Sequence, residues 1–244
     1  MQAAEVSVVI SERSFSPRRP YLVVGVPEAG LVGSIAASYM AQRLALPEVG
    51  YLDSDLFPPI VVVHDGEPRS PFRIFGREDL VIVNAEVPAS PELYSPIAQA
   101  LTAWGRDLQS PLMIGMTGLP SRQRLEVERP RVFALSSSPE VRESFRRAGS
   151  EAFQEGFLVG FYAQLMRACL KAGQPNLTLL AESHLQFPDP GAAAGIVAQL
   201  SAYLSLGLDV SPLIEESEQI RLRTRELMNK TLESMSKVAS GLYA

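Results

Sequence analysis

Short apolar runs alternate with longer segments of helical periodicity along most of the chain. The runs rich in Val, Ile and Leu predict buried strands at 21–26 (YLVVGV), 79–87, 110–118, 131–137 and 176–183. The segments between them predict helices at 29–46, 90–108, 138–148, 156–173 and 189–207, with a last charged amphipathic helix at 211–240. Strands that alternate with helices indicate a mostly parallel sheet with helices on both faces.

A second pattern lies between residues 48 and 87, where strands follow one another without a helix. The runs 48–54, 60–66 and 71–76 are short, apolar and separated by Pro and Gly. Because successive strands joined by short connections pair in antiparallel fashion, this region predicts an antiparallel extension of the parallel sheet.

The fold class predicted by these patterns is α/β, with a three-layer core. Residues 1–210 show no shift in composition that marks a linker, so they are expected to form one domain. Residues 211–244 are expected to add a C-terminal amphipathic helix and a short tail. Within the domain, the segment 156–173 (GFLVGFYAQLMRACLKAG) predicts a helix that is buried on most sides.

Composition narrows the class of protein. The chain has 244 residues, of which 46% are hydrophobic and 20% charged, as in ordinary globular proteins. Its net charge of −5 disfavours nucleic acid as the main partner. No apolar stretch reaches the ~18 residues of a membrane span, and the single cysteine, Cys169, predicts a buried structural thiol. We therefore expect a cytoplasmic protein without nucleic-acid or membrane partners.

The segment GVPEAGLVG (25–33) joins a predicted strand to a predicted helix, where phosphate-binding loops often lie. Its glycines Gly25, Gly30 and Gly33 do not follow the G-x-G-x-x-G spacing, and no Walker A lysine follows Gly30. The preferred interpretation is a tight turn with close helix–strand packing. The alternative is a small-ligand or anion pocket formed by Gly25, Glu28, Gly30 and Gly33.

Catalytic and metal chemistry finds little support in the residues. The two histidines, His64 and His184, each end a predicted strand, but the chain has no G-x-S-x-G elbow and no Cys/His spacing for a metal. Both histidines are therefore expected to be structural or incidental. Asp189 followed by Pro190 predicts a helix N-terminus. We predict no catalytic residue, no metal and no cofactor.

The last residues raise a separate question. Ser211 is a candidate cap for the final helix and Gly241 a candidate stop, which leaves Leu242, Tyr243 and Ala244 beyond it. These three residues are either a frayed end or a peptide that a partner captures by its carboxylate.

Three segments carry a resemblance to a known family. They are VVGVPEAGLVGSIAASYMAQRL, GYLDSDLFPPIVVVHDGEPRSPFRIF and FPDPGAAAGIVAQLS, and together the match extends over most of residues 21–215. The chain resembles the proteasome assembly chaperone family, which includes archaeal homologues of the second eukaryotic assembly-chaperone subunit. This resemblance implies a phosphorylase/hydrolase-like α/β fold, oligomeric assembly and no known catalysis.

The resemblance also gives the tail a meaning. A hydrophobic residue, a tyrosine and any last residue form the proteasome-docking motif of activators and archaeal assembly chaperones, and Leu242, Tyr243 and Ala244 match it. We therefore expect a non-enzymatic, ATP-independent homo-oligomer, a tetramer or pentamer, that docks on α-subunits of the proteasome core particle. A paralogous chaperone is a further candidate partner. The alternative is a phosphorylase/hydrolase-like enzyme or small-ligand-binding protein with a pocket near Gly25–Gly33.

Overall fold

The computed structural model has a central nine-stranded mixed sheet with helices on both faces. The structure describes residues 8–12 and 15–220. The strands are β1 (Val9–Glu12), β2 (Tyr21–Gly25), β3 (Glu48–Asp53), β4 (Val62–His64), β5 (Glu67–Arg69), β6 (Phe72–Arg77), β7 (Leu80–Ala85), β8 (Met113–Pro120), β9 (Val132–Leu135), β10 (Glu151–Ala152) and β11 (Asn176–Ser183). The helices are α1 (Val32–Arg43), α2 (Pro91–Asp107), α3 (Pro139–Arg147), α4 (Gly160–Ala172), α5 (Pro190–Leu204) and α6 (211–220), with a 3₁₀ turn at Ala29–Leu31 before α1.

The sheet order is β1-β3-β6-β7-β2-β8-β11-β9-β10. Its centre is parallel, since β2 pairs in parallel with β7 and β8, and β8 with β11. The flank β1-β3-β6-β7 is antiparallel, and β9 is antiparallel to β11. The α/β class and the predicted antiparallel extension are both confirmed. Within the described residues, β4 and β5 pair with each other alone, as a hairpin beside the sheet.

Each face of the sheet has its own helical layer. Successive residues of β2, such as Val23 and Val24, are fully buried in different clusters, because successive side chains of a strand point to opposite faces. One cluster includes residues of α1, α3 and α5, and the other includes residues of α2 and α4. A strand that is covered on both faces has a continuous run of apolar residues, and this run is why the sequence predicted β2 as a buried strand.

Helix α4 differs from its prediction. The apolar segment 156–173 is not buried on most sides, because the helix begins only at Gly160 and buries one face. Tyr162 and Cys169 are fully buried, whereas Phe157 is 93% exposed and Leu170 56% exposed. The predicted burial of Cys169 is confirmed, and burial raises the pKa of its thiol to about 11, so it stays protonated and unreactive at neutral pH.

The start of the final helix packs against the body. Residues 211–220 are helical, and Leu213 is buried in the same cluster as α1 and α5. The rest of the predicted helix, and the tail residues Leu242, Tyr243 and Ala244, lie outside the described residues. The division at residue 210 therefore stays a prediction. No helix in the described ranges has the length and apolarity that a membrane span requires.

Candidate functional site

The carboxyl ends of the parallel strands β2, β8 and β11 meet at one edge of the sheet, where α/β proteins place their sites. The loops that leave these strands are bonded to one another. The Asp189 N–H, after β11, donates to the Gly30 carbonyl, after β2, at 2.9 Å. The Ser121 N–H, after β8, donates to the Ser183 carbonyl at 3.0 Å. We refer to this region as the carboxyl edge.

The glycine loop 25–33 is filled by protein atoms. A Cβ at Gly25 would lie 2.3 Å from the Gly33 carbonyl oxygen, and a Cβ at Gly33 would lie 2.2 Å from the Met116 carbonyl oxygen. Gly30 adopts φ 63°, a left-handed conformation that glycine tolerates best. These contacts are those expected of a tight turn with close helix–strand packing. A ligand pocket formed by Gly25, Glu28, Gly30 and Gly33 themselves stays an untested prediction.

Glu28 links this loop to helix α4. Its carboxylate accepts hydrogen bonds from the Phe161 N–H at 2.7 Å and from the Thr117 hydroxyl at 3.2 Å. Phe161 is in the first turn of α4, so the carboxylate caps that helix from a different part of the chain. Burial raises the pKa of Glu28, against the opposing effect of these two hydrogen bonds. The contact positions α4 and gives Glu28 a structural role.

The raised pKa of Glu28 predicts a pH-dependent effect of Glu28→Gln. A carboxyl group whose pKa is higher in the folded state favours folding below its unfolded pKa, and this contribution is lost as pH rises through the folded pKa. Glutamine carries no charge at any pH. The stability of the variant relative to the parent protein is therefore expected to increase between pH 4 and pH 7, as measured by urea unfolding.

Glu182 offers a control of opposite sign. Its pKa is lowered, chiefly by a side-chain hydrogen bond from Arg131. The relative stability of Glu182→Gln is therefore expected to decrease as pH rises from about 3 to about 5, because the folded pKa of Glu182 lies below its unfolded value of 4.5. If the relative stabilities of both variants change in the same direction with pH, the raised pKa assigned to Glu28 is wrong.

Tyr162 crosses from α4 to the end of β2. Its ring is fully buried, and its hydroxyl accepts a hydrogen bond from the Val26 N–H at 2.7 Å. Glycines make room for it, since a Cβ at Gly115 would lie 2.7 Å from the ring and one at Gly33 would lie 2.5 Å from the hydroxyl. Burial raises the pKa of the phenol well above its usual value. Tyr162 thus fixes the start of the glycine loop.

Tyr162→Phe is expected to lower the free energy of unfolding by about 1–3 kcal/mol, because the buried Val26 N–H loses its acceptor. Urea unfolding at constant pH measures this loss. Tyr94→Phe is the matched control, since Tyr94 is only half-buried and its substitution is expected to change stability by no more than about 0.5 kcal/mol. Equal effects of the two substitutions would contradict the role given to the Tyr162 hydroxyl.

Asp189 and Arg124 form a buried ion pair at the carboxyl edge. The Asp189 side chain accepts from the Ala192 N–H at 3.0 Å and so caps α5, as its sequence predicted. The guanidinium of Arg124 donates to the two carboxylate oxygens at 2.7 and 2.8 Å. Arg124 is 3% exposed and Asp189 1% exposed. The same arginine donates to the Val127 carbonyl at 2.6 Å, which ties its own loop to the helix.

The two histidines lie in separate clusters. The His64 ring is 2.9 Å from a carboxylate oxygen of Glu86 and 3.0 Å from a guanidinium nitrogen of Arg73. The His184 N–H donates to Asp189 at 3.1 Å, and burial lowers the pKa of the His184 ring. In the part of the chain that the structure describes, no three His, Cys, Asp or Glu side chains group to hold a metal ion.

The carboxyl edge also carries exposed apolar side chains. Nine large hydrophobic residues with at least 41% exposure lie in the segments that leave or reach this edge. We call them the apolar rim: Leu31, Leu56, Ile60, Val61, Val63, Phe157, Val159, Leu185 and Phe187. Exposed apolar residues at one end of a fold are available for contact with other macromolecules. The sequence did not predict these residues as a group, because they come from four segments that are distant in the chain.

Comparison with known proteins gives consistent matches along the chain. The model of the PAC2 family matches residues 22–228. An uncharacterised protein of Methanocaldococcus jannaschii is 27% identical over 218 residues, which cover 89% of each chain. The crystal structure of Pyrococcus furiosus PbaA, described as an archaeal homologue of proteasome-assembly chaperone, matches with 27% identity and a TM-score of 0.83, over 95% of this chain and 96% of that chain. The structure of Pyrococcus furiosus PbaB, described as an archaeal proteasome activator, has the same fold, with 22% identity and a TM-score of 0.78, over 93% and 100% of the two chains.

Proposed function

Because the chain belongs to the PAC2 family, we propose that it is a proteasome assembly chaperone or activator that works without catalysis and without ATP. The observation that carries this proposal is the match along nearly the whole chain to PbaA, which is itself described as a homologue of proteasome-assembly chaperone. The proteasome core particle is the proposed partner, through its α-subunits.

The carboxyl edge supports a role in protein binding. Its buried polar groups serve the fold, since Glu28 caps α4 and Asp189 caps α5. The surface outside them is the apolar rim, which includes Phe157 at 93% exposure and Leu185 at 64%. A surface of this kind is suited to contact another protein chain, either a second copy in a homo-oligomer or the partner.

We further propose that residues 211–244 serve as a docking arm. In this proposal Leu242 and Tyr243 enter a pocket between neighbouring α-subunits, and the carboxylate of Ala244 pairs with a lysine there. Tyrosine suits a half-exposed pocket, because its ring is apolar and its hydroxyl is polar. One short tail binds weakly since ordering it costs conformational entropy. Several tails on one homo-oligomer bind much more tightly through their high effective concentration.

Native mass spectrometry of the full chain, alone and mixed with proteasome α-subunits, tests this function. The chain alone is expected to give a discrete homo-oligomer, and the mixture a larger complex that contains both proteins. A chain that remains separate from α-subunits at micromolar concentrations would contradict the proposed function.

A further inference from the structure

A cavity of about 390 Å³ lies between α1, the carboxyl end of β7 and α6. Strand β2 continues into α1 on one face of the sheet, whereas β7 continues into α2 on the other face. The strands are adjacent and parallel, so their connections diverge at this point. Such a point of divergence is where open α/β sheets bind ligands. The cavity is next to the glycine loop but is lined by its Pro27 and Leu31 rather than by its glycines.

Two polar residues that line this cavity have a buried oxygen without a hydrogen-bond partner. Asn84 is 1% exposed, and its Oδ1 has no hydrogen-bond partner among residues 8–12 and 15–220. The Oγ atom of Ser34, in the first turn of α1, is also buried and has no hydrogen-bond partner in the described part of the chain. A buried polar atom that lacks a partner destabilises the folded state, so each such atom needs an explanation. A ligand that supplies the missing hydrogen bonds provides one.

The charges around the cavity restrict the ligand. Two carboxylates, Glu86 and Glu216, border it, and no Lys or Arg belongs to its described lining. These carboxylates disfavour a phosphate or another anion. Glu86 is also bonded to Arg73, which offsets its charge and weakens its attraction for a free cation. An uncharged ligand fits best.

The side chains that line the cavity also indicate the chemistry of its ligand. Pro27, Leu31, Ile35 and Leu213 give the cavity apolar walls, which suit a flat or compact organic body. The asparagine amide on the lining presents an acceptor and a donor side by side, the arrangement that pairs with the edge of an amide or of a nucleobase.

We propose that this cavity binds a small uncharged molecule that presents an amide-like edge, a carboxamide or a nucleobase, to Asn84 and Ser34. The site does not involve the tail residues Leu242, Tyr243 and Ala244, because the described residues that line it lie between Pro27 and Glu216. In this proposal the ligand bonds to the two buried oxygens, and the apolar side chains of the cavity contact the rest of the molecule.

Nuclear magnetic resonance of the ¹⁵N-labelled full chain tests the site directly. Adenosine and nicotinamide are the probes, with inorganic phosphate and spermidine as charged controls. At least one neutral probe is expected to shift the side-chain amide signals of Asn84 saturably, and the two charged controls are expected to leave them unchanged. Signals that move with phosphate or spermidine alone, or with none of the four, would overturn the proposal.

The variant Asn84→Leu separates a ligand-binding role from a structural one. It removes the unpartnered oxygen, so it is expected to abolish probe binding and to raise the melting temperature by about 2–4 °C. Asn176→Leu is the matched control. Asn176 is another buried strand asparagine, and its Oδ1 also lacks a partner among the described residues, but its Nδ2 donates to Ser137 at 3.2 Å and to the Gln174 carbonyl at 3.3 Å, and leucine loses these two bonds.

The control variant is therefore expected to lower the melting temperature and to keep probe binding. If Asn84→Leu destabilises the protein as much as Asn176→Leu, Asn84 is a structural residue and the proposal fails. The proposal also fails if the probes bind the Asn84→Leu variant as tightly as the parent protein.

Discussion

Replacing Asp189 by alanine is expected to lower the free energy of unfolding by about 3–5 kcal/mol. The substitution leaves the guanidinium of Arg124, which is 3% exposed, without its carboxylate partner. It also removes the cap of α5 and the acceptor of the His184 N–H. An uncompensated buried charge is among the most destabilising changes that a single substitution produces. Because a typical domain is stable by only about 5–15 kcal/mol, the loss is a large share of the total.

Urea unfolding at neutral pH measures this effect. Asp79→Ala is the matched control, since Asp79 is paired with Arg77 on the surface, with side chains 68% and 40% exposed. Loss of that exposed pair is expected to cost no more than about 1 kcal/mol. The double variant Arg124→Met/Asp189→Ala is expected to recover part of the stability, because no buried charge remains unpaired. A single Asp189→Ala variant no less stable than Asp79→Ala would contradict the role of the pair.

Tyr243→Ala is expected to raise the Kd for assembled α-rings by at least about 100-fold. Loss of an aromatic anchor from a binding pocket costs about 2 kcal/mol or more, which is about 30-fold for one tail. In the proposed homo-oligomer several tails would bind the same ring, so the loss is expected to be multiplied across them. Biolayer interferometry on immobilised α-rings measures this change in Kd.

Tyr243→Phe is the matched control for this prediction. Phenylalanine keeps the aromatic ring and removes only the hydroxyl, so its Kd is expected to rise by about tenfold at most. Both variants are expected to have the melting temperature of the parent protein. An alanine variant that binds α-rings as tightly as the phenylalanine variant would contradict the proposed use of Tyr243.

The sequence predicted the central strands and main helices because their apolar pattern is strong. Strands β2 and β7 are buried on both faces and read as continuous apolar runs. The short strands β1, β5 and β10 went unpredicted, because they have two to four residues and no fully buried position. Helix α4 was placed near its true bounds, but the apolar residues on its exposed side misled the prediction of burial.

The candidate site was less predictable, because its contacts join distant parts of the chain. The Asp-Pro dipeptide predicted the cap by Asp189, but Arg124 comes 65 residues earlier, in a charged segment that reads as an exposed loop. Glu28 caps a helix that begins more than 130 residues later, so no local pattern indicates it. Asn84 did leave a signal, since it is a single polar residue within the apolar run of β7.

Docking through the C-terminal tail is tested most directly by a comparison of the intact chain with a chain that lacks residues 242–244. Binding of each to assembled proteasome α-rings is measured by biolayer interferometry, and its melting temperature is measured in parallel. The intact chain is expected to bind, the shortened chain is expected not to bind at micromolar concentration, and both are expected to melt at the same temperature. A shortened chain that binds α-rings with the Kd of the intact chain would contradict docking through Leu242, Tyr243 and Ala244.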